Sequence, residues 1–228
     1  MFKGKVALVT GGAHRVGQAI ALALAQAART SRSHTTLRQN RRKPRWPRSL
    51  RAGVRSIAVQ CDQQSFSDIT RLYETLRRNF DRLDILINSA AIMEVQPALD
   101  VTPADWERVI NTNLRGPFFI AQAAAKWMLA DGRGGSIVNV ADLSALHPWS
   151  SYVTHTISKS GVVAMTEALA LALAPSIRVN AVAPGTVLKP PDWSAERWQK
   201  LADSLPLRRA GSPHDVADAV LYCLRSAS

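Results

Sequence analysis

Short apolar runs alternate along most of the chain with longer segments in which apolar residues recur at helical spacing. The short runs are rich in Val, Ile and Leu, and they end in small or polar residues, a pattern typical of buried parallel strands. The predicted strands are KVALVT (5–10), IAVQCD (57–62), LDILINSAA (83–91), GGSIVNVA (134–141) and IRVNAVAPG (177–185).

The segments between these runs are predicted as helices. Residues 66–80, for example, are apolar at Ile69, Leu72, Tyr73 and Leu76, which places all four on one face. The predicted helices are 16–28, 66–80, 103–129, 156–174 and 212–224, with Ser212 as the N-cap of the last. Strands that alternate with helices indicate the α/β class, and we predict a Rossmann-type doubly wound parallel sheet in a single domain, 1–228.

The alternation fails at two places. Residues 29–52 form an aberrant basic segment where the second strand and its helix are expected. The chain also ends shortly after the helix at 212–224, so we predict that the final strand of the sheet is missing.

Charge changes this picture less than its total suggests. The chain has 29 Lys and Arg against 17 Asp and Glu, a net charge of +12. Ten of the cations lie in residues 29–55, which contain no acidic residue, so the remainder carries only +2. Because the basicity is one local block, we predict no nucleic-acid partner.

Other features of composition favour a cytoplasmic protein that acts on a small molecule. The two cysteines, Cys61 and Cys223, form no CxxC motif and suit a reducing compartment. The N-terminus enters a strand directly without a signal-peptide pattern, and we expect no membrane span. The histidines lack metal-ligand spacing, so no metal is assigned.

A glycine-rich turn, TGGAHRVG at 10–17, lies between the first predicted strand and helix. Such a turn lets backbone N–H groups approach a pyrophosphate at the positive end of the helix. A plain tight turn would give the same glycines, but the order of strand, turn and helix favours a dinucleotide site.

Four polar residues form a second candidate constellation: Asn113, Asp142, His155 and Lys159. His155 and Lys159 are four residues apart, on one face of a helix. Asp142 follows a predicted strand, at the sheet edge where open α/β sheets bind ligands.

Taken together, these motifs resemble the short-chain dehydrogenase/reductase family over residues 1–28 and 54–228. Arg15 stands in place of the usual middle glycine, and Asp142 stands in place of the usual catalytic serine; both features resemble the pteridine reductases. The resemblance implies reduction of a carbonyl or imine, possibly of a pterin, with NADP(H) and less favourably NAD(H), by a homo-oligomer (dimer or tetramer). A guanidinium at residue 15 suits the additional phosphate of NADP(H).

The resemblance also implies roles for individual residues. The cofactor would be held by Gly11, Arg15, Val16 and Gly17 at its phosphates, Asp62 at the adenine, Asn88 and Ala90 along the ribose, Lys159 at the nicotinamide ribose, and Pro184 and Gly185 beside the nicotinamide. The catalytic set would be Asn113, Asp142, His155 and Lys159, with Asn113 anchoring a water chain to Lys159.

One departure bears on chemistry, because the family's catalytic tyrosine is replaced by His155. Histidine can serve as a general acid, so one hypothesis is a proton relay through Asp142, His155 and Lys159. The alternatives are a nucleotide-binding member without catalysis, or a poorly folding product of a frame-disrupted gene.

Three interpretations compete for the basic segment 29–52. A nucleic-acid arm and a disordered insert both fit its polarity, but neither explains why a strand and helix of the same length are missing. Reading the third base of each codon with the first two bases of the next permits Asp-Val-Ala-Ile at 29–33 and helix-forming residues further on. We therefore hypothesise an out-of-frame segment; coding DNA that confirms this frame, with no strand and helix in a neighbouring frame, would refute it.

Overall fold

The computed structural model describes residues 2, 4–29, 54–190 and 192–225, and a parallel four-stranded sheet forms its centre. The strands, hydrogen-bonded in chain order, are β1 (Ala7–Val9), β2 (Ile85–Asn88), β3 (Gly135–Val140) and β4 (Ile177–Val182). Leu8, Leu86 and Ile137 lie side by side in register. Because successive side chains alternate between faces, each face of the sheet carries its own apolar row.

Helices follow the strands, and a π-helical turn interrupts the longest predicted one. The helices are α1 (Arg15–Arg29), α2 (Phe66–Asn79), α3 (Pro103–Ile110), α4 (Gly116–Ala130), α5 (Val153–Leu173), α6 (Ala195–Ser204) and α7 (Pro213–Arg225). The π turn (Asn111–Arg115) joins α3 to α4, and short 3-10 turns lie at Ala98–Asp100 and Leu143–Ala145. The N-cap predicted at Ser212 is present, since its hydroxyl accepts from the Asp215 N–H at 3.3 Å.

Helices α1 and α7 pack on one face of the sheet. Ile20 and Leu24 of α1 join Val220 of α7 and Val9 of β1 in one buried cluster. The spacing of four residues between Ile20 and Leu24 puts both side chains on the same face of α1.

Helices α2 and α4 pack on the opposite face. Leu72 and Leu76 of α2 and Ile120 of α4 lie against Leu8 and Leu86 in a second buried cluster. Helices therefore cover both faces of the parallel sheet, and the predicted doubly wound α/β architecture is confirmed.

The strand predicted at 57–62 does not form as predicted. Gln60 alone has a β-bridge there, and no strand among the described residues lies beside the segment. A strand requires a hydrogen-bonded neighbour, and the expected one falls in 29–52, which lies almost wholly outside the described residues. Ile57 and Val59 still pack against the cluster formed by α2 and α4, so the apolar pattern of the segment correctly predicted its burial.

Helix α5 begins at Val153, one turn earlier than predicted, and so includes His155. Its length and composition would allow it to cross a membrane, but one such helix is weak evidence. In this fold α5 packs on β4 with His155, Ser158 and Lys159 buried, as a core helix does. In the described part of the chain, which reaches Arg225, no strand follows α7.

Candidate active site

The glycine-rich turn is closely packed against the end of β2. Gly11 has a φ of +67°, and a Cβ there would come within 3.0 Å of the Ala90 Cα. A Cβ on Gly17 would lie 2.5 Å from the Gly11 carbonyl oxygen. The Thr10 hydroxyl also holds the turn against the segment after β2, because it accepts from the backbone N–H groups of Ser89 and Ala90 at 3.0 and 3.1 Å.

Arg15 begins α1 in the left-handed region, with a φ of +52°. A residue with a Cβ pays roughly 1–2 kcal/mol in this conformation, whereas glycine adopts it freely. The geometry explains why the family places glycine here. The exposed Arg15 and the half-buried Val16 lie at the N-terminus of α1, whose first turn contains no acidic residue.

Asp62 is exposed, and its carboxylate accepts from the Gln64 N–H at 3.0 Å. The neighbouring Gln63 is buried, and its amide donates to the carbonyl oxygens of Ala90 and Thr112. Gln63 therefore joins the segment after 57–62 to β2 and to the π turn.

The Asn88 side chain points into the protein. Its amide nitrogen donates to the Asn139 side chain at 2.9 Å and to the Pro117 carbonyl at 3.3 Å. Asn139 in turn donates to Thr166 of α5 at 2.9 Å. This buried chain links β2, β3 and α5, so the prediction that Asn88 lines a ribose rests on its backbone rather than on its amide.

A carbonyl oxygen holds Asn113 and His155 together. The Asn113 amide exchanges two hydrogen bonds of 2.9 Å with the backbone of Ile92, donating to its carbonyl and accepting from its N–H. The His155 Nδ1 lies 3.1 Å from the same Ile92 carbonyl oxygen. Since a carbonyl can only accept, Nδ1 must carry the hydrogen, and in the neutral ring Nε2 then has the lone pair.

His155 Nε2 faces Asp142 inside the protein. Nε2 lies 3.9 Å from Asp142 Oδ2, beyond hydrogen-bond distance, and has no hydrogen-bond partner among the described residues. The His155 side chain is only 4% exposed, against 19% for Asp142. Of the two groups, the carboxylate is therefore the more accessible.

Asp142 caps the 3-10 turn that follows β3. Its Oδ1 accepts from the Ser144 N–H at 2.8 Å. Burial alone would raise the pKa of Asp142, but the His155 ring and the Ser144 hydrogen bond together hold that pKa below its ordinary value. The group beside His155 is therefore a carboxylate near neutral pH.

Lys159 lies one turn after His155 on α5 and is buried. Its Nζ donates to the Val140 carbonyl at 2.7 Å. Burial lowers the pKa of Lys159 from its ordinary 10.5 to about 8, although Asp142 opposes that shift. The ammonium can therefore lose its proton within reach of physiological pH.

Pro184 and Gly185 follow β4 beside Asp142. The Pro184 carbonyl accepts from the Leu143 N–H at 2.9 Å, which ties this strand end to the turn that Asp142 caps. A Cβ added at Gly185 would meet the Leu143 side chain at 3.5 Å and no other described atom within 4 Å. The space beside this glycine is therefore largely open.

The structure thus brings Asn113, Asp142, His155 and Lys159 into one cluster at the carboxyl ends of β3 and β4. Sequence reasoning missed Ile92 and Gln63. Ile92 acts through its backbone, so its side chain gave no signal. A glutamine directly after an apolar run was a signal for Gln63, because buried amides need partners.

Metal-binding side chains are not grouped here. Among residues 4–29, 54–190 and 192–225, no three His, Cys, Asp or Glu side chains lie close enough to hold an ion.

The fold and site define a dinucleotide-dependent enzyme class, and comparison with known proteins names it. A family model described as short chain dehydrogenase matches residues 5–200. The chain belongs to this family and is an NAD(P)-dependent oxidoreductase that acts on carbonyl or hydroxyl substrates.

Curated relatives cover nearly the whole chain. The 2-dehydro-3-deoxy-D-gluconate 5-dehydrogenase of Escherichia coli K12 is 32% identical, over 99% of this chain and 90% of the relative. The 3-oxoacyl-acyl-carrier-protein reductase of Aquifex aeolicus is 34% identical, over 96% and 90%. The NAD-dependent glycerol dehydrogenase of Listeria innocua is 28% identical, over 98% and 88%. The family resemblance is confirmed, whereas the finer likeness to pteridine reductases stays a prediction.

Solved structures agree on the fold. A candidate short-chain alcohol dehydrogenase from Sinorhizobium meliloti 1021 matches with a TM-score of 0.85 and 33% identity, over 97% of this chain and 89% of that one. The aldohexose dehydrogenase of Thermoplasma acidophilum also has a TM-score of 0.85, at 24% identity over 98% and 88%, and it bears on the fold alone.

Burial of Lys159 predicts a specific pH dependence of stability. Its pKa of about 8 in the folded protein is below the unfolded value, so the unfolded chain binds more protons between pH 8 and 10.5. The free energy of unfolding should therefore rise with pH across this window relative to Lys159→Met, by on the order of 3 kcal/mol. Urea unfolding of both proteins at several pH values measures this, and parallel curves would contradict it.

Proposed function

We propose that this enzyme reduces a carbonyl or imine group of a small polar molecule with NADPH, and that the proton for the product passes through His155 and Asp142. The observation that carries the proposal is the hydrogen bond between His155 Nδ1 and the Ile92 carbonyl. It turns the other ring nitrogen, the one free to exchange a proton, toward Asp142.

The residues around the glycine-rich turn fit a dinucleotide. A Cβ at Gly11 or Gly17 would crowd backbone atoms, so the turn needs glycine for close backbone approach. The N-terminus of α1 adds the partial positive charge of a helix, and no acidic side chain opposes it in the first turn. The buried Lys159 lies at the neighbouring strand ends.

Each predicted cofactor residue has a place in this proposal. Gly11, Arg15, Val16 and Gly17 would hold the phosphates, Asp62 the adenine, the backbone of Asn88 and Ala90 the ribose side, Lys159 the nicotinamide ribose, and Pro184 and Gly185 the nicotinamide. When bound, the cofactor supplies or accepts a hydride.

The protein's own part in the chemistry is to hold and move one proton. In the protonated ring, Nδ1–H donates to Ile92 while Nε2–H points at Asp142 Oδ2. A shift of about 1 Å would bring that 3.9 Å separation into hydrogen-bond range. Asp142, the more exposed of the pair, would pass the proton to the substrate oxygen or imine nitrogen, and Lys159 would stabilise the carboxylate by its charge.

The finer substrate proposal has two members. A dihydropterin is favoured by Asp142 in the position of the family's serine and by Arg15 in the glycine-rich turn. Polar ketones and polyols are favoured by the names of the relatives, which act on sugar acids, acyl ketones and glycerol. NADPH oxidation with dihydropterins and polar ketones, together with NADP⁺ reduction with polyols, separates them.

Domain organisation, oligomeric state and cellular compartment are also matters of proposal. We propose that residues 1–228 form a single domain. We also propose a homo-oligomer, a dimer or tetramer, that forms through α4 and α5, which expose the apolar side chains of Phe118, Leu129 and Leu171. We also propose that the protein is cytoplasmic, because its two cysteines form no CxxC motif and suit a reducing compartment.

The role of His155 is tested by replacing it with Asn, which can still donate to the Ile92 carbonyl but cannot carry a proton. We expect NADPH oxidation to fall by about 100-fold or more, since general acid catalysis contributes at least this much. His155→Tyr, which installs the family's phenol, should keep activity well above the Asn variant. Steady-state turnover on the best substrate measures both.

Thr156→Val is the matched control, because Thr156 is a buried neighbour of His155, and within the described residues its hydroxyl has one hydrogen bond, accepted from the Trp149 N–H at 3.5 Å. It should leave turnover unchanged. NADPH binding should be the same in all these variants. Unchanged turnover in His155→Asn would remove His155 from the mechanism, and binding without turnover in the unaltered protein would favour a non-catalytic member.

Arg15 should determine the preference for NADPH. Arg15→Gly relieves the left-handed strain but removes the guanidinium, so we expect NADPH binding to weaken about 10-fold relative to NADH. Arg15→Lys keeps a charge at the same backbone position and should retain part of the preference. Fluorescence titration with both cofactors measures the ratio, and an unchanged ratio in Arg15→Gly would assign the preference elsewhere.

A further inference from the structure

We propose that a cationic cavity beside α6 binds a carboxylate of the substrate, so that the enzyme prefers oxo acids to neutral ketones. This inference rests on the proposed function, because it names the substrate class of the same enzyme. It concerns the lid pocket, defined here as the cavity between residues 187–189, α6 and residues 208–213.

The lid pocket is large enough for a small organic acid, with a volume of about 390 Å³. Its apolar lining residues include Val187, Leu188 and Trp198. Lys189, Arg208 and Arg209 also line it, together with Gln199 and small residues. An apolar lining with a few charged groups is the usual composition of a site for a small ligand.

The charges of the lid pocket are unbalanced. Three of its twelve lining residues are cations and none is acidic. The Arg209 charge is partly offset by Asp215, whose carboxylate already accepts from the Ser212 N–H and hydroxyl. Lys189 donates to the neutral Trp193 carbonyl, so its charge is not compensated by that contact.

Arg208 is an exposed cation of the lid pocket, as are Lys189 and Arg209. Within the described part of the chain it takes part in no salt bridge. Its backbone is in the left-handed region, with a φ of +49°, which costs about 1–2 kcal/mol for a residue with a Cβ. A cation that lines a cavity, has a strained backbone and forms no salt bridge among the described residues suits a ligand-binding role.

The lid pocket is connected to the candidate active site by one short segment. The Pro184 carbonyl bonds the Leu143 N–H next to Asp142, and the Thr186 carbonyl bonds the Gly211 N–H at the pocket, both at 2.9 Å. Lys189 is four residues after Gly185, so the two Cα atoms are at most about 14 Å apart. A substrate could therefore place its carbonyl group at Asp142 and its carboxylate in the lid pocket.

The test uses oxo acids of increasing length and their methyl esters: 4-oxopentanoate, 6-oxoheptanoate and 8-oxononanoate. In the unaltered enzyme we expect at least one acid to exceed its ester about 10-fold in kcat/KM. Arg208→Gln keeps the strained backbone and removes the charge, so it should abolish this preference through KM, while Arg208→Lys should restore part of it. Lys200→Gln, an exposed cation of α6 outside the pocket, is the matched control and should change nothing.

Calorimetric titration of each acid reads binding without turnover, which separates the two proposals. Binding that Arg208→Gln abolishes supports the pocket even if no compound is reduced. Equal kcat/KM and equal binding for acid and ester at every length would overturn it, as would a preference that survives Arg208→Gln. Weakened binding of NADPH alone by Arg208→Gln would assign the cations to the cofactor and would also overturn it.

Discussion

The candidate site depends on a single backbone oxygen, the carbonyl of Ile92. It accepts from the Asn113 amide at 2.9 Å and lies 3.1 Å from His155 Nδ1. Because a carbonyl has no hydrogen to give, this contact determines which nitrogen of the ring is protonated and which faces Asp142. We propose that histidine, at the position where the resemblance places a tyrosine, serves in proton transfer.

The surrounding structure holds this oxygen in place. Asn113 lies in the π turn between α3 and α4, and its side chain bonds both the N–H and the carbonyl of Ile92. It also donates to Ser158 of α5 at 3.1 Å, so the π turn, the segment after β2 and α5 are joined at one amide. Such turns recur at functional sites because they displace one side chain from the regular helical path.

Most of this arrangement could be predicted from the sequence, for definite reasons. Buried strands such as β1 and β2 have continuous apolar runs, and the spacing of His155 and Lys159 is the helical repeat. The prediction of a strand at 57–62 was wrong, because an apolar pattern reports burial and does not by itself specify hydrogen-bonded pairing. The role of Ile92 could not be predicted, since a backbone carbonyl leaves no mark on residue type.

The net charge of the chain is informative only together with the positions of the charged residues. The net +12 pointed to nucleic acid only until its position was considered, because nearly all of it lies in residues 29–55. The functionally interesting cations are Arg15, at a strained helix start, and Lys159, which is buried. Both were identified by motif, but the strain at Arg15 and the lowered pKa of Lys159 follow only from three-dimensional surroundings.

The central claim is that Ile92 determines the tautomer of His155, and nitrogen NMR measures this directly. In protein labelled with ¹⁵N-histidine, two-bond proton–nitrogen correlation spectra distinguish the ring nitrogens, and loss of signals in His155→Asn assigns the residue. The account predicts that the neutral His155 ring carries its hydrogen on Nδ1. A neutral ring with its hydrogen on Nε2 would contradict it.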